Sequence, residues 1–434
     1  MNIYALIRKH KLYTAAIILD VLAIVAANLA ISSSKFANFY SHNIYHILSL
    51  VFSQITGIIP ISIVEFLLYL TVLYIILDFI VQTKKIYTVC ISTLKSHGDH
   101  IQNSSKKYAA VILKSILQHI SVFLLHLFLI ISFIFTLYVF NCGINYRRSS
   151  FSMEAGLSSL QDDLNEEALI SLCDYLVDNI NITTESLITM TYGDKTAAGI
   201  PVISTCITDI DNSSPLKLYN GAYLGQDMSA PSAAASYLWN TGKTGQEAMS
   251  QIGQKYQRLS GPYPYPKPVL NSWILSIQQT TGVYSPFTIE ANYNRDIPYY
   301  DIPFTICHEL SHLKGYMQEE EANFIAVLST IGSDDLYYNY SGYVCAWVYA
   351  GNALYKIDPY KFAELYQQIN AYTLRDLKYN NDYWEQYESK IAETHEEIND
   401  AYLKSNGQAS GVQSYGHVTD LMLTYFTEHG NLNY

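Results

Sequence analysis

Three long apolar runs within the first 142 residues constrain this chain more than any other feature of its sequence. They extend over about residues 12–31, 61–82 and 119–142. Each is long enough to cross a bilayer as a helix, which takes about 20 residues. The sequence therefore predicts a membrane domain, residues 1–142, with three transmembrane helices.

The first run shares one feature with a cleavable signal peptide, since basic residues precede it. Its apolar stretch is longer than the core of a signal peptide, and "ISSSKF" after it offers no clear small-residue cleavage site. We therefore interpret the first run as a retained membrane anchor.

The distribution of basic residues predicts the orientation in the membrane. Arg8, Lys9 and Lys11 precede the first run, and six lysines lie between the second and third runs. The loop between the first and second runs holds only Lys35. Because basic loops stay in the cytoplasm, the chain after about residue 143 is expected outside the cytoplasmic membrane.

The two parts of the chain also differ in charge. Residues 1–142 carry ten Lys or Arg and four Asp or Glu, a net charge of +6, whereas the remainder carries 16 and 34, a net charge of −18. So acidic an outer part argues against binding nucleic acid and against docking onto anionic lipid.

Polar and interfacial features accompany the three runs. Asp20 and Glu65 fall inside predicted spans, where charges are costly and often functional, and we expect structural, interhelical hydrogen bonds. Residues 32–60 carry apolar side chains at helical spacing. They predict a helix that lies at the outer membrane surface or is buried under the outer domain.

The stretch "HELSHLKGYMQEEEANF", residues 308–324, contains an HExxH motif. His308 and His312 stand one helical turn apart on one face, so both imidazoles can bind one Zn²⁺. Glu309, beside the first histidine, can take a proton from zinc-bound water and pass it to a leaving amine. The motif thus predicts a zinc site with Glu309 as the catalytic base.

A third protein ligand is needed. Gln318 stands where a third histidine would follow the HExxHxxGxxH pattern, so that arrangement is excluded. Gly315 can end the first helix, and the glutamates that follow suit the first turn of the next. Glu320 and Glu321 are both acceptable ligands on helical spacing, and Glu319 is less well placed.

Several segments of the chain resemble a bacterial membrane family known as domain of unknown function thirty-eight-ten. They are "IPISIVEFL", "GINYRR", "GVYSPFTIEANYN", "IPFTICHELSHLKGYMQEEEANFIAVLS" and "SYGHVTDLML". Members of that family have three N-terminal spans followed by an HExxH domain and resemble zinc metallopeptidases. "EAN" also resembles the segment that supplies the third ligand in other HExxH peptidases, which implies Glu321 as the ligand.

The expected fold is therefore membrane-anchored and mainly α. Three N-terminal transmembrane helices precede a mostly helical, zincin-like extracytoplasmic domain, residues 143–434, with a small β element. The best strand candidate is 282–294. Its part 284–292, with Glu290, either pairs with an extended substrate or is simply structural.

Two residues near the C-terminus are candidate hydrogen-bond donors to the oxyanion that forms during hydrolysis. They are Tyr415 and His417, in "SYGHV". Packing at the start of a helix is the favoured interpretation for both.

The sequence predicts a membrane-anchored zinc metallopeptidase that hydrolyses peptide or protein substrates outside the cytoplasmic membrane. An intramembrane protease is disfavoured, because Lys314 and three glutamates leave no 20-residue apolar run around the motif. A non-catalytic envelope protein with a structural or sensory zinc is the main alternative. A fourth ligand such as Cys307 would support it, but Cys307 points about 100° away from His308 on the helix.

Overall fold

The structure, a computed structural model, describes residues 11–97, 105–157, 166–192, 231–408, 411 and 417–434. Most of these residues lie in helices, and three short strands among them form a small sheet. The prediction of a mainly helical protein with a small β element is confirmed.

The first five helices contain the apolar runs and the segment that joins the first two. They are α1 (Lys11–Ser32), α2 (Ser34–Phe39), α3 (His46–Gly57), α4 (Ile63–His97) and α5 (Ser105–Tyr138). Among the described residues, three helices are long and apolar enough to cross a membrane, and they correspond to α1, α4 and α5. At most 11% of the most apolar window in each is buried, and such extensive apolar exposure indicates membrane association.

The helices α4 and α5 extend beyond the apolar runs that predicted them. The second run ends near residue 82 and the third begins near residue 119, whereas α4 continues to His97 and α5 already begins at Ser105. Bilayer thickness sets the length of an apolar run but not the length of a helix. Lysine and leucine, frequent in these extensions, are good helix formers.

Polar side chains between the three long helices are paired with one another. Asp20 of α1 accepts hydrogen bonds from Ser132 at 2.8 Å and Thr136 at 3.5 Å, both in α5. The Asp78 carboxylate of α4 lies 2.8 Å from Nδ1 of His126 in α5. Asp20 thus makes the interhelical hydrogen bonds expected of a charge in an apolar surrounding.

The helix α3 presents a polar face inward and an apolar face outward. Its buried residues are Ser49, Ser53 and Thr56. Exposed apolar side chains lie on the other side: Ile47, Val51 and Ile55. Since α3 joins two helices that can span a membrane, its apolar face suits the surface of a bilayer.

The rest of the described chain adds eleven helices. They are α6 (Phe151–Glu154), α7 (Glu166–Tyr192), α8 (Pro231–Lys255), α9 (Trp273–Ser276), α10 (Asp301–Leu313), α11 (Glu319–Ile331), α12 (Leu336–Ile357), α13 (Pro359–Tyr366), α14 (Ala371–Glu385), α15 (Lys390–Ser405) and α16 (His417–His429). Consecutive helices α10, α11 and α12 pack on one another, and α7 packs along α12. This packing forms the main hydrophobic core.

The sheet contains β1 (Lys267–Pro268), β2 (Gly282–Ser285) and β3 (Glu290–Tyr293), in the order β1-β3-β2. Strand β3 is parallel to β1 and antiparallel to β2, with Gly282 opposite Tyr293. Strand structure within 282–294, the best strand candidate, is confirmed, but the segment folds back as a hairpin of two strands. Pro286 has no N–H for a ladder, and Ile289 has a φ of 52°, which turns the chain.

Two buried carboxylates attach the second part of the chain to the start of α4. Glu290 of β3 accepts hydrogen bonds from the backbone N–H groups of Ile63 and Val64 at 3.3 and 3.0 Å and forms an ion pair with Lys267. A carboxylate there satisfies free N–H groups of the helix and favours its dipole. In turn, Glu65 of α4 accepts from two N–H groups of the loop after β1, at 2.8 and 2.9 Å. The prediction of interhelical hydrogen bonds is therefore wrong for Glu65, whose partners lie in this loop and in its own helix.

Candidate metal centre

The helix α10 that carries the motif is almost entirely buried. Eleven of its 13 residues are buried, among them Glu309 and His312. The helix ends at Leu313, and Gly315 follows with a φ of 90°, a conformation that favours glycine. Helix α11 then begins at Glu319. The prediction that Gly315 separates two helices is confirmed.

The two histidines of the motif point one ring nitrogen at each other. Nε2 of His308 lies 3.0 Å from Nε2 of His312. The other ring nitrogens face oxygen acceptors: Nδ1 of His308 is 2.8 Å from Oδ1 of Asn323, and Nδ1 of His312 is 2.7 Å from the carbonyl of Tyr316. Each Nδ1 therefore carries the proton, and in the neutral rings the two Nε2 lone pairs face each other.

Glu319 completes a cluster of three ligand groups. Its carboxylate oxygens lie 3.3 Å from Nε2 of His308 and 3.6 Å from Nε2 of His312. Two atoms bound tetrahedrally to one zinc at about 2.0–2.1 Å lie roughly 3.3 Å apart. The three distances around this cluster bracket that value, so its residues fit a zinc ion.

The structure does not bring Glu321 into this cluster. Its carboxylate accepts hydrogen bonds from N and Oγ of Ser152 at 2.9 and 2.7 Å. Glu319 and Glu321 are about 200° apart around α11, so only one of them can face α10. Glu321 does point inward, as its spacing predicted, but towards α6. Glu320 is bonded instead to the side chain of Gln408.

Glu309 lies beside the cluster with one oxygen unpaired. Its side chain is buried, and Oε2 has no hydrogen-bond partner. Burial raises the pKa of this carboxyl to about 8. The backbone of β2 packs directly on it, since a Cβ on Gly282 would lie 2.5 Å from Oε1 of Glu309. An unpaired buried carboxylate oxygen is rare in proteins and is available for proton transfer.

The cluster opens into a cavity of about 770 Å³, within the usual size range of ligand sites. Strand β2 forms one wall with Gly282, Val283 and Tyr284. Helix α15 also lines the cavity, with His395, Glu396, Asn399 and Tyr402. No motif in the sequence marks these residues of α15, and they were missed because helical spacing alone does not reveal which helix faces a distant one.

Strand β2 has a free edge on the side away from β3. It pairs only with β3 among the described strands, and the side chain of Val283 is 40% exposed. Glu290, by contrast, is 1% exposed and serves the attachment to α4. The part of the hairpin next to the cluster is therefore β2 rather than Glu290.

The two residues weighed near the C-terminus do not join the cluster. Tyr415 lies outside the described residues. His417 is the first residue of α16, is exposed, and is not among the residues that line the cavity.

Comparison with known proteins assigns the chain to a family. No curated protein and no solved structure matches it. One family model matches residues 40–423, which include α3, α4 and α5, the candidate metal cluster and α16 as far as Leu423. The chain therefore belongs to the family described as "Protein of unknown function (DUF3810)".

Proposed function

We propose that this protein is a membrane-anchored zinc metallopeptidase. His308, His312 and Glu319 would hold the metal, and Glu309 would act as the general base. The observation that carries the proposal is that Nε2 of His308 and Nε2 of His312 lie 3.0 Å apart with the carboxylate of Glu319 beside them. Two histidines with a glutamate are a known catalytic zinc set, and a zinc ion between the two nitrogens would offset the repulsion of their lone pairs.

A bound zinc ion would polarise the scissile carbonyl and activate a water molecule for attack. Glu309, in its deprotonated form, would accept a proton from the attacking water at its unpaired Oε2 and pass it to the leaving amine. Asn323 and the Tyr316 carbonyl hold the two imidazoles in the required tautomer. Among the described residues no fourth His, Cys, Asp or Glu joins the cluster, which favours an open, catalytic position over a closed structural site.

The free edge of β2 supports a peptide as the substrate. An extended peptide can add to a free strand edge through main-chain hydrogen bonds. Such a peptide on β2 would run beside Gly282, which touches Glu309. Backbone recognition would place successive peptide bonds near the base without requiring a particular side chain.

The charge bias of the loops supports an extracytoplasmic location for this site. Basic residues precede the first span and lie between the second and third spans, which predicts that these segments are cytoplasmic. The chain after the third span, including the metal cluster, would then lie on the outer side. Helix α10 has 13 residues, too few to cross a bilayer, so an intramembrane protease remains disfavoured.

The test is metal analysis of the full-length protein purified in detergent, combined with a peptide hydrolysis assay. We expect about one zinc per chain, and loss of it in His312→Ala and Glu319→Gln. Glu321→Gln is the matched control and should keep the metal. Glu309→Gln should keep the metal and lose hydrolysis, because only the proton acceptor is removed.

Two results would contradict this assignment. If Glu319→Gln keeps zinc and Glu321→Gln loses it, the third ligand is Glu321, as the family resemblance implied. If the wild-type protein contains no metal, the two histidines and Glu319 would instead be held together by a proton on His308. Burial lowers the pKa of His308, but the hydrogen bond and charge of Glu319 outweigh burial and raise it to about 9. Zinc without hydrolysis of any peptide would support the non-catalytic envelope protein.

A further inference from the structure

A second, smaller cavity lies between the segment that joins α1 to α4 and the outer part of the chain. Its volume is about 380 Å³. Three of the residues that line it are basic, Arg148, Arg258 and Lys314, and none is acidic. We call it the basic cavity. Its charge is opposite to that of the chain after residue 142, which carries −18.

Arg148 is buried at this cavity with one donor unused. Its side chain is 2% exposed, and its guanidinium pairs with Glu154 at 3.0 and 3.1 Å and donates to the carbonyl of Lys314 at 3.2 Å. Its Nε–H has no partner. Leaving a buried donor of a charged group unpaired costs about 1–3 kcal/mol or more. An acceptor supplied by a ligand would remove this cost.

Ser41 supplies a second unused donor. The residue is 3% exposed, lines the same cavity, and its hydroxyl has no partner. A Cβ on Gly315 would lie 3.2 Å from the Ser41 hydroxyl and 3.3 Å from Nη1 of Arg148. The two unused donors therefore belong to residues that meet at one point, beside Gly315.

The positive charge of the basic cavity is only partly compensated. Glu154 neutralises Arg148, whereas Lys314 donates to the neutral carbonyls of Ser260 and Pro262 at 2.8 and 3.4 Å. Arg258 is exposed. Burial, followed by the charges of Arg148 and Arg258, lowers the pKa of His42 to about 4, so that histidine is neutral and can contribute hydrogen bonds but no charge.

The basic cavity lies beside α3, the helix whose apolar face suits the surface of a bilayer. His42 precedes α3, and both His46 and Ser49 of α3 line the cavity. The other face of α3 carries the exposed apolar residues Ile47, Val51 and Ile55. A group bound in the cavity would thus lie one helix away from apolar side chains suited to lipid.

We propose that the basic cavity binds a phosphate group. The oxygens of a phosphate can accept hydrogen bonds from Nε of Arg148 and the hydroxyl of Ser41 while Arg258 and Lys314 balance its charge. Charge-assisted hydrogen bonds of this kind are the strong ones, and arginine is the preferred partner of phosphate. The group can come from the headgroup of an anionic lipid or from free phosphate, and these sources share the same chemistry.

The test uses the full-length protein in detergent, with lipid binding measured by native mass spectrometry. Dioleoyl phosphatidic acid is compared with dioleoylglycerol, which has the same chains and no phosphate. We expect phosphatidic acid to bind more tightly, and Arg258→Gln and Ser41→Ala each to weaken it, by roughly tenfold for the charged residue. Lys378→Gln removes a charge from an exposed lysine paired only with Asp382 and should leave binding unchanged.

Inorganic phosphate separates the two sources. If phosphate alone raises the melting temperature of wild-type protein but not of Arg258→Gln, the cavity takes free phosphate. If millimolar phosphate has no effect while phosphatidic acid binding depends on Arg258 and Ser41, the ligand is a headgroup. The proposal is overturned if neither probe distinguishes these variants from Lys378→Gln, or if phosphatidic acid and dioleoylglycerol bind equally well.

Discussion

Asn323 contacts the first histidine of the candidate metal centre. Its Oδ1 lies 2.8 Å from Nδ1 of His308, and the asparagine is buried in α11, one turn after Glu319. The same short helix thus provides the proposed third ligand and a partner for the proposed first ligand. Partners of this kind fix the tautomer of a ligating imidazole and leave its other nitrogen free for the metal.

We expect Asn323→Ala to weaken zinc affinity by about 10- to 100-fold, because the ring of His308 loses its anchor. Competition with a chromogenic chelator measures the affinity. Asn323→Asp keeps an acceptor oxygen and should recover much of it, whereas Asn43→Ala changes an exposed asparagine and should have no effect. Equal zinc affinity in Asn323→Ala and the wild type would show that His308 needs no such partner.

At the scale of single residues, the sequence located most but not all of the candidate site. HExxH placed His308, Glu309 and His312 on one helix, and Gly315 marked its end. The glutamate that faces the two histidines could not be identified from the sequence, because three consecutive glutamates differ only in their angle around α11. That angle depends on the path of residues 315–318, where the chain turns through Gly315 before α11 begins at Glu319. No periodicity in the sequence encodes such a path.

At the scale of elements, the contact between β2 and α10 restricts the position of Glu309, the proposed base. Gly282 has no side chain, and this allows the strand to approach the Glu309 carboxylate. The sequence indicated strand structure here but not the hairpin, because alternation predicts a strand and does not predict where it folds back. The glycine at the start of β2 is thus explained only by the helix it faces.

We expect Gly282→Ala to reduce peptide hydrolysis by about tenfold or more while zinc content stays at the wild-type value. The added Cβ would lie 2.5 Å from Oε1 of Glu309 and 2.8 Å from its Cγ, so the side chain must swing away, and a small displacement of a catalytic group is costly. Gly143→Ala is the control, because its Cβ would meet Tyr138 at an ordinary 3.5 Å. Full activity in Gly282→Ala would mean that Glu309 is not the base.

At the scale of the whole molecule, the three apolar helices were predictable because lipid imposes a long apolar run on any helix that crosses it. The attachment of the outer part to these helices was not predictable. It depends on Glu290 and Glu65, which each accept hydrogen bonds from backbone N–H groups more than 200 positions away in the sequence. A single carboxylate that bonds to a distant backbone produces no recognisable pattern in the sequence.

The topology can be tested by labelling intact cells with a membrane-impermeant maleimide. The background is a variant in which Cys90 and Cys206 are replaced by serine, since the other cysteines are buried. We expect Lys378→Cys to react in intact cells, and Lys95→Cys to react only after permeabilisation, because both side chains are exposed and the charge bias predicts them on opposite sides of the membrane. The reverse result would place the metal cluster in the cytoplasm.

The attachment through Glu290 has a consequence for which substrates this protein can reach. β3 bonds to the first turn of α4, and β2, which lines the large cavity, is the hydrogen-bonded neighbour of β3. The candidate site is therefore joined through buried hydrogen bonds to a helix that can span a membrane. If the proposed hydrolysis is correct, such a site would select by distance from the bilayer, and a membrane-anchored substrate would be cleaved at a set number of residues from its own anchor.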